Sequence, residues 1–146
     1  MPHAATRPSS ERVSEPRYTA GCLCGGVKLA LSAEPGPIQI CHCAMCRKAQ
    51  GGAFATHASM PASALDVVEG AELLAAYESS PGVHRMFCKR CGSPLFSTNA
   101  EEPDVVRIRV GIVDGALRTR PSAHYYVGQM ANWWRIDDHL LRFETE

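Results

Sequence analysis

Seven cysteines stand in three tight groups, Cys22-x-Cys24, Cys41-x-Cys43-x-x-Cys46 and Cys88-x-x-Cys91, and none lies elsewhere in the 146 residues. Spacings of one or two residues bring thiolates close enough to share a metal ion, and two such groups together can complete a tetrahedral sulfur shell. Four sulfurs close a structural zinc site, whereas three leave a position for water or substrate. Seven divides naturally into four and three.

On a strand, residues i and i+2 face one side, so Cys22 and Cys24 can point at the same ion. Gly21 before them and Gly25-Gly26 after them permit the tight bend that such a pair requires. In Cys88-Lys89-Arg90-Cys91-Gly92 the spacing forms a knuckle turn, with Gly92 suited to the left-handed position that follows. Knuckle and pair together give a closed shell. Cys41, Cys43 and Cys46 leave a fourth corner open unless His57, His84 or His124 fills it, and His42 should point away from their metal. A competing partition joins Cys43 and Cys46 to Cys88 and Cys91 as a one-zinc ribbon. It strands Cys22, Cys24 and Cys41, and ranks second.

Other side chains near the open corner are candidate catalytic groups. Arg47 and Lys48 could meet a substrate carboxylate, with a solvated turn as the plainer reading. His57, in Ala-Phe-Ala-Thr-His-Ala-Ser, could act as acid or base near its ordinary pKa, or be a strand histidine. His124, before Tyr125-Tyr126, could line a pocket, although core filling explains the tyrosines equally well. Trp133-Trp134 is best read as a cap on the core.

The elements that must hold these residues are short strands. Val27, Leu29 and Leu31 alternate with polar or small residues. Val106, Ile108, Val110 and Ile112 alternate with Val105, Arg107, Arg109 and Gly111, the clearest half-buried strand. Further strands are expected at Ile38–Cys43, Ala53–Ala58, Leu73–Glu78, Val83–Phe87, Pro94–Thr98 and His124–Val127. Helical turns are expected only at Ala44–Gln50 and around Pro61–Leu65. Many brief strands parted by Gly and Pro turns predict a mainly β fold, a sandwich or barrel-like arrangement.

Residues 1 to 17, rich in Pro, Ser, Arg and Glu, read as a flexible leader, and residues 18–146 as one zinc-binding domain. Apolar residues make up 45% and charged residues 21%, ordinary for a globular chain. Lys and Arg total 15, as do Asp and Glu. Four thiolates on one zinc and three on another bring the filled protein to about −3, which excludes a basic nucleic-acid surface. No run is long and apolar enough for a secretory signal or a membrane span. A cytoplasmic location is therefore expected, where clustered cysteines imply metal rather than disulfides.

The run Gly21-Cys22-Leu23-Cys24-Gly25-Gly26-Val27, then Cys41-His42-Cys43-Ala44-Met45-Cys46-Arg47-Lys48 with Gly51, then Phe87-Cys88-Lys89-Arg90-Cys91-Gly92, resembles the glutathione-dependent formaldehyde-activating enzyme family, which also contains a centromere protein. A looser match covers Pro121, His124, Trp133 or Trp134, Asp137 or Asp138, and Leu141-Arg142-Phe143. The resemblance implies an Mss4-like β fold with antiparallel sheets, zinc knuckles and two zinc ions per chain. The structural zinc would take Cys22, Cys24, Cys88 and Cys91; the open or catalytic one would take Cys41, Cys43 and Cys46. The family's reaction joins glutathione and formaldehyde reversibly to S-hydroxymethylglutathione and is classed as a carbon–sulfur lyase reaction. Extra segments of the longer enzymes are missing here, which bears on glutathione as the partner thiol.

The leading function is thus a zinc-dependent carbon–sulfur lyase acting on thiol adducts of a small aldehyde. Its partners would be a small-molecule thiol and an aldehyde, not nucleic acid or membrane, with self-association left open. The alternatives are a zinc-stabilised binding module without catalysis and a thiol redox enzyme on the same fold. The last needs a free, low-pKa cysteine with a resolving partner, which the zinc assignment does not leave.

Overall fold

A computed structural model describes residues 17–146; of the expected leader, all but Arg17 lies outside the described residues. The chain runs β1 (Tyr18–Gly21), β2 (Lys28–Leu31), β3 (Ile38–Cys41), α1 (Ala44–Gln50), β4 (Ala55–Pro61), β5 (Leu65–Glu69), β6 (Leu74–Ser80), β7 (Val83–Cys88), β8 (Pro94–Asn99), β9 (Val105–Arg109), β10 (Val113–Asp114), β11 (Pro121–Tyr125) and β12 (Leu141–Arg142). Strands β10-β1-β2-β5 form a small sheet, and β12-β11-β3-β4-β9-β8-β7-β6 a large one. The fold is mainly β, as the spacing of turn residues predicts. Pairing is antiparallel except where β11 lies parallel to β3 and β12.

Alternation along the strands decides which face is dry. Met60, Met86, Phe96, Val106 and Ile108 from the large sheet pack on Leu29, Leu31, Leu65 and Val67 from the small one. Phe96, Leu29, Leu31, Leu65 and Ile108 are essentially sealed from solvent, and each contributes about 1.5–3 kcal/mol by leaving water. Cys22 and Cys88 belong to the same cluster, so the knuckle is joined directly to the core.

Four expectations shift. The strand expected through Ile112 ends at Arg109, and a 3-10 turn at Val110–Ile112 carries the chain to β10, which pairs with β1 in the other sheet. The helical turn around Pro61–Leu65 is a 3-10 turn over Ala62–Ala64, and it leads straight into β5. The strand expected at His124–Val127 begins earlier and ends at Tyr125, because Tyr126 adopts a left-handed φ of 58°. Cys22 and Cys24 lie in the turn after β1 rather than on a strand. α1 has the expected bounds, closed by Gly51 in the left-handed region, whose N–H bonds to the Arg47 carbonyl. No helix among the described residues is long and apolar enough to cross a membrane.

Candidate metal centres and an adjoining cavity

The sulfurs of Cys22, Cys24, Cys88 and Cys91 lie within 4.8 Å of one another, and those of Cys41, Cys43 and Cys46 form a second such group. All seven thiols are free. The Sγ separations of 3.5 Å for Cys22–Cys24 and 3.8 Å for Cys24–Cys88 match the edge, about 3.8 Å, of a tetrahedron with Zn–S bonds near 2.3 Å. They are far too long for a disulfide. Soft sulfur donors at this spacing fit zinc.

Each group is held by local backbone. Cys22 N–H bonds to Val27 O at 3.2 Å, Val27 N–H returns to Cys22 Sγ at 3.2 Å, and Gly25 N–H reaches Cys22 O. Across the knuckle, Gly92, with φ of 79°, donates to Cys88 O at 2.7 Å. Arg90 Nε donates to Cys24 Sγ at 3.2 Å. The Ser93 hydroxyl and backbone, with help from Cys24, draw the Cys91 thiol down to about 5.

In the second group Cys41 ends β3 and Cys43 caps α1, its sulfur accepting Cys46 N–H at 3.3 Å. All three are buried. Contact with Cys41 and Cys43, and the Arg85 guanidinium 3.8 Å away, lower Cys46 to about 5 against the opposing effect of burial, while contact with Cys46 and burial push Cys41 up. Within the trio, Cys46 is the thiol that its neighbours dispose most strongly to lose its proton. No further His, Cys, Asp or Glu joins it among the described residues.

A cavity of about 580 Å³ opens beside this group. Its floor is one face of the large sheet, built by the period of two. Gln39 and Cys41 on β3, His57 on β4, Arg107 and Arg109 on β9, Ser97 on β8 and Arg85 on β7 all line it. Register sets two rows: Gln39–His57–Arg109, and Arg85–Ser97–Arg107. Tyr125, Tyr126 and Glu146 form part of the wall. Tyr126 is kept in its left-handed conformation by its N–H bond to Thr145 O, so the C-terminal residues shape the rim.

The candidate side chains sort clearly. His57 lines the cavity, but burial and the Arg109, Arg107 and Arg85 charges depress it to about 3. It is a neutral ring at physiological pH, not an acid poised near its ordinary pKa. Arg47 and Lys48 lie on α1 and are not among the cavity-lining residues. His84 pairs with Glu78 at 3.5 Å. His124 is buried away from the trio in a chain that sequence reasoning did not foresee. His42 Nε2 lies 2.8 Å from His124 Nδ1, and His124 Nε2 lies 2.9 Å from Asp138 Oδ2. With His124 donating to the carboxylate, its Nδ1 accepts from His42. His42 thus points away from the sulfurs, as alternation predicts, and anchors the segment between two of them. Trp134 packs edge-on against Phe54, which meets the His42 ring, so it covers this chain of histidines rather than the main core.

Sequence comparison agrees with this geometry. The family model described as glutathione-dependent formaldehyde-activating enzyme matches residues 17–129. A Halomonas elongata protein named as a candidate enzyme of that kind is 34% identical over 125 residues, covering 80% of this chain and 78% of its own. An uncharacterized lyase of Schizosaccharomyces pombe is 31% identical over 90 residues, 60% of this chain and 64% of the yeast protein. Among solved structures, a Rhodobacter sphaeroides protein superposes with a TM-score of 0.58 at 25% identity, over 71% of this chain and 99% of that one.

Proposed function

Because the chain belongs to the glutathione-dependent formaldehyde-activating enzyme family, we propose that it is a zinc-dependent carbon–sulfur lyase that makes and breaks adducts between a small thiol and a small aldehyde. In this reading Cys22, Cys24, Cys88 and Cys91 hold a structural zinc, and Cys41, Cys43 and Cys46 a catalytic one. The observation that carries it is the unequal sharing of sulfur. Four thiols close one group, while the other stops at three beside a cavity that Cys41 and Cys46 help to line.

Zinc held by Cys41, Cys43 and Cys46 would supply Lewis acidity that favours the deprotonated form of an incoming thiol, whose ordinary pKa is near 8.5. In adduct formation the thiol sulfur bonds to the aldehyde carbon, the carbonyl pair moves to oxygen, and that oxygen takes up the proton the thiol gave up. The reverse sequence cleaves the carbon–sulfur bond. The protein's residues arrange this event. Arg85, against Cys46, offsets the negative charge that three thiolates concentrate in a buried spot. His57, neutral and with an unpartnered Nδ1, offers a hydrogen bond to the hydroxymethyl oxygen without adding charge. The Asp138–His124–His42 chain holds the Cys41–Cys43 segment from behind.

Elemental analysis of the purified protein tests the metal assignment, and NMR exchange spectroscopy of ¹³C-formaldehyde with a thiol tests the reaction. Two zincs per chain, one released by a mild chelator together with loss of thiol–aldehyde exchange acceleration, is the expected result. A single tightly held zinc with no acceleration identifies a binding module instead. Activity that survives metal removal but dies on alkylation identifies thiol redox chemistry.

A further inference from the structure

Arginines on the cavity floor exceed what the proposed chemistry uses. Arg109 is only 7% exposed, and its guanidinium donates from Nη1 to the carbonyl of Arg107 at 3.4 Å. Among the described residues its Nε has no partner, nor do Nε and Nη1 of Arg85. Arg107 differs, since Glu102 meets it at 2.7 Å. Buried guanidinium groups with idle N–H donors are costly, because neither water nor a carboxylate compensates them. Here both line one cavity, and His57 stands beside Arg109 in the same row with a free ring nitrogen.

We infer that Arg85 and Arg109 form a receptor for a carboxylate of the substrate, seated on the cavity floor next to Cys46. The inference rests on the zinc reading for its charge balance. Three thiolates and a zinc ion leave one negative charge and the two arginines bring two positive ones, so before substrate arrives the cavity floor holds a net positive charge that favours an anionic ligand over its neutral counterpart. Glu101, Glu102 and Glu146 line the same cavity and are exposed, so the rim opposes a second negative charge. Planar guanidinium forks also match a carboxylate in two-point contact. Because Arg85 Nη2 sits 3.8 Å from Cys46 Sγ, the acid group must lie within a few bonds of the reacting sulfur or carbon. Either partner could carry it: a thiol bearing a carboxylate, or a 2-oxo acid as the aldehyde.

The test uses the full-length, zinc-loaded protein. Calorimetric binding is measured for 3-mercaptopropionate and its amide, and for glyoxylate against formaldehyde, in wild type, Arg109→Met and Arg85→Gln. Carboxylated ligands should bind the wild type roughly 10- to 100-fold more tightly than their neutral counterparts, and each variant should lose most of that preference. The ligand pair that shows the preference tells which partner bears the acid. Arg109→Met should also melt no lower than wild type, since it removes an uncompensated buried charge. Equal binding of acid and amide, or a variant with lower Tm and unchanged acid preference, overturns the proposal. Acid-selective binding without thiol–aldehyde exchange would leave the receptor standing and sink the lyase reading. Exchange indifferent to the carboxylate and to both arginines would do the reverse.

Discussion

Replacing His57 with Gln should flatten the protein's stability in mild acid, by an amount that follows from the surroundings of the ring. His57 is largely buried between Gln39 and Arg109, with three arginines along the same cavity floor, and its pKa falls to about 3. In the unfolded chain it titrates near 6.5. Below that value the unfolded state takes up a proton that the folded state refuses, so stability declines as pH falls from about 6.5 toward 3. Linkage gives a loss of about 0.8 kcal/mol at pH 6 and about 2 kcal/mol at pH 5, relative to pH 8. Against a total stability of roughly 5–15 kcal/mol that is readily measured. Gln cannot titrate, so His57→Gln should be spared this loss. Urea unfolding of wild type and variant at pH 8, 6 and 5 isolates it, because whatever the clustered thiols contribute to acid sensitivity cancels in the difference. If both proteins lose stability in parallel, the ring is protonated in the folded state, and the picture of a neutral His57 beneath an arginine floor is wrong.

The two cysteine groups should respond differently to mutation. Cys88 is fully buried within the main core cluster, and a structural zinc contributes about 10–16 kcal/mol to folding in small domains. Cys88→Ser should therefore abolish cooperative folding by circular dichroism. Cys43 belongs to a small satellite cluster, and Cys43→Ser should stay folded while losing about one zinc per chain by elemental analysis; unfolding of this variant would refute the division of roles. Glu34 takes bonds from the Tyr18 hydroxyl and from the N–H groups of Thr119 and Arg118, which hold its pKa below the carboxylate range. Its contribution is present above the unfolded value, about 4.3, and disappears as pH falls through the lower folded value. Glu34→Gln should accordingly melt earlier than wild type at pH 7, with the gap closing only under more acid conditions; a gap independent of pH would contradict this. At Gly70, φ is 82° and an added Cβ would meet the Gly26 carbonyl oxygen at 2.1 Å. Gly70→Ala should cost at least about 2 kcal/mol in denaturant unfolding, while Gly52→Ala, with open space around it, should be nearly silent.

What the sequence discloses and what it hides follow from the range of the interactions involved. The cysteine clusters are legible because each pair or trio is shaped within a few residues, although the meeting of Cys24 with Cys88 depends on the fold. A turn at Cys22–Val27, a knuckle closed by Gly92 and a cap at Cys43 are each local events. α1 is legible for the same reason. The arginine floor is not. Along β9, alternation correctly assigns Val106 and Ile108 to the core and leaves Arg107 and Arg109 on the other face, where the default reading is solvent. Only the strand register, which aligns Arg109 with His57 and sets Arg107 in a row with Ser97 and Arg85, makes those residues neighbours. Residues as distant in sequence as Tyr126 and Glu146 help to wall that face into a cavity. The same range explains why Arg47 drew attention in the sequence: proximity along the chain to Cys46 looked like proximity to substrate. Arg47 instead lies on α1 outside the residues that line the cavity, and Arg85, thirty-nine positions from Cys46, brings its guanidinium to the sulfur. A charge that acts at Cys46 is thus supplied by pairing across strands, and a search confined to the sequence neighbourhood of the cysteines cannot find it.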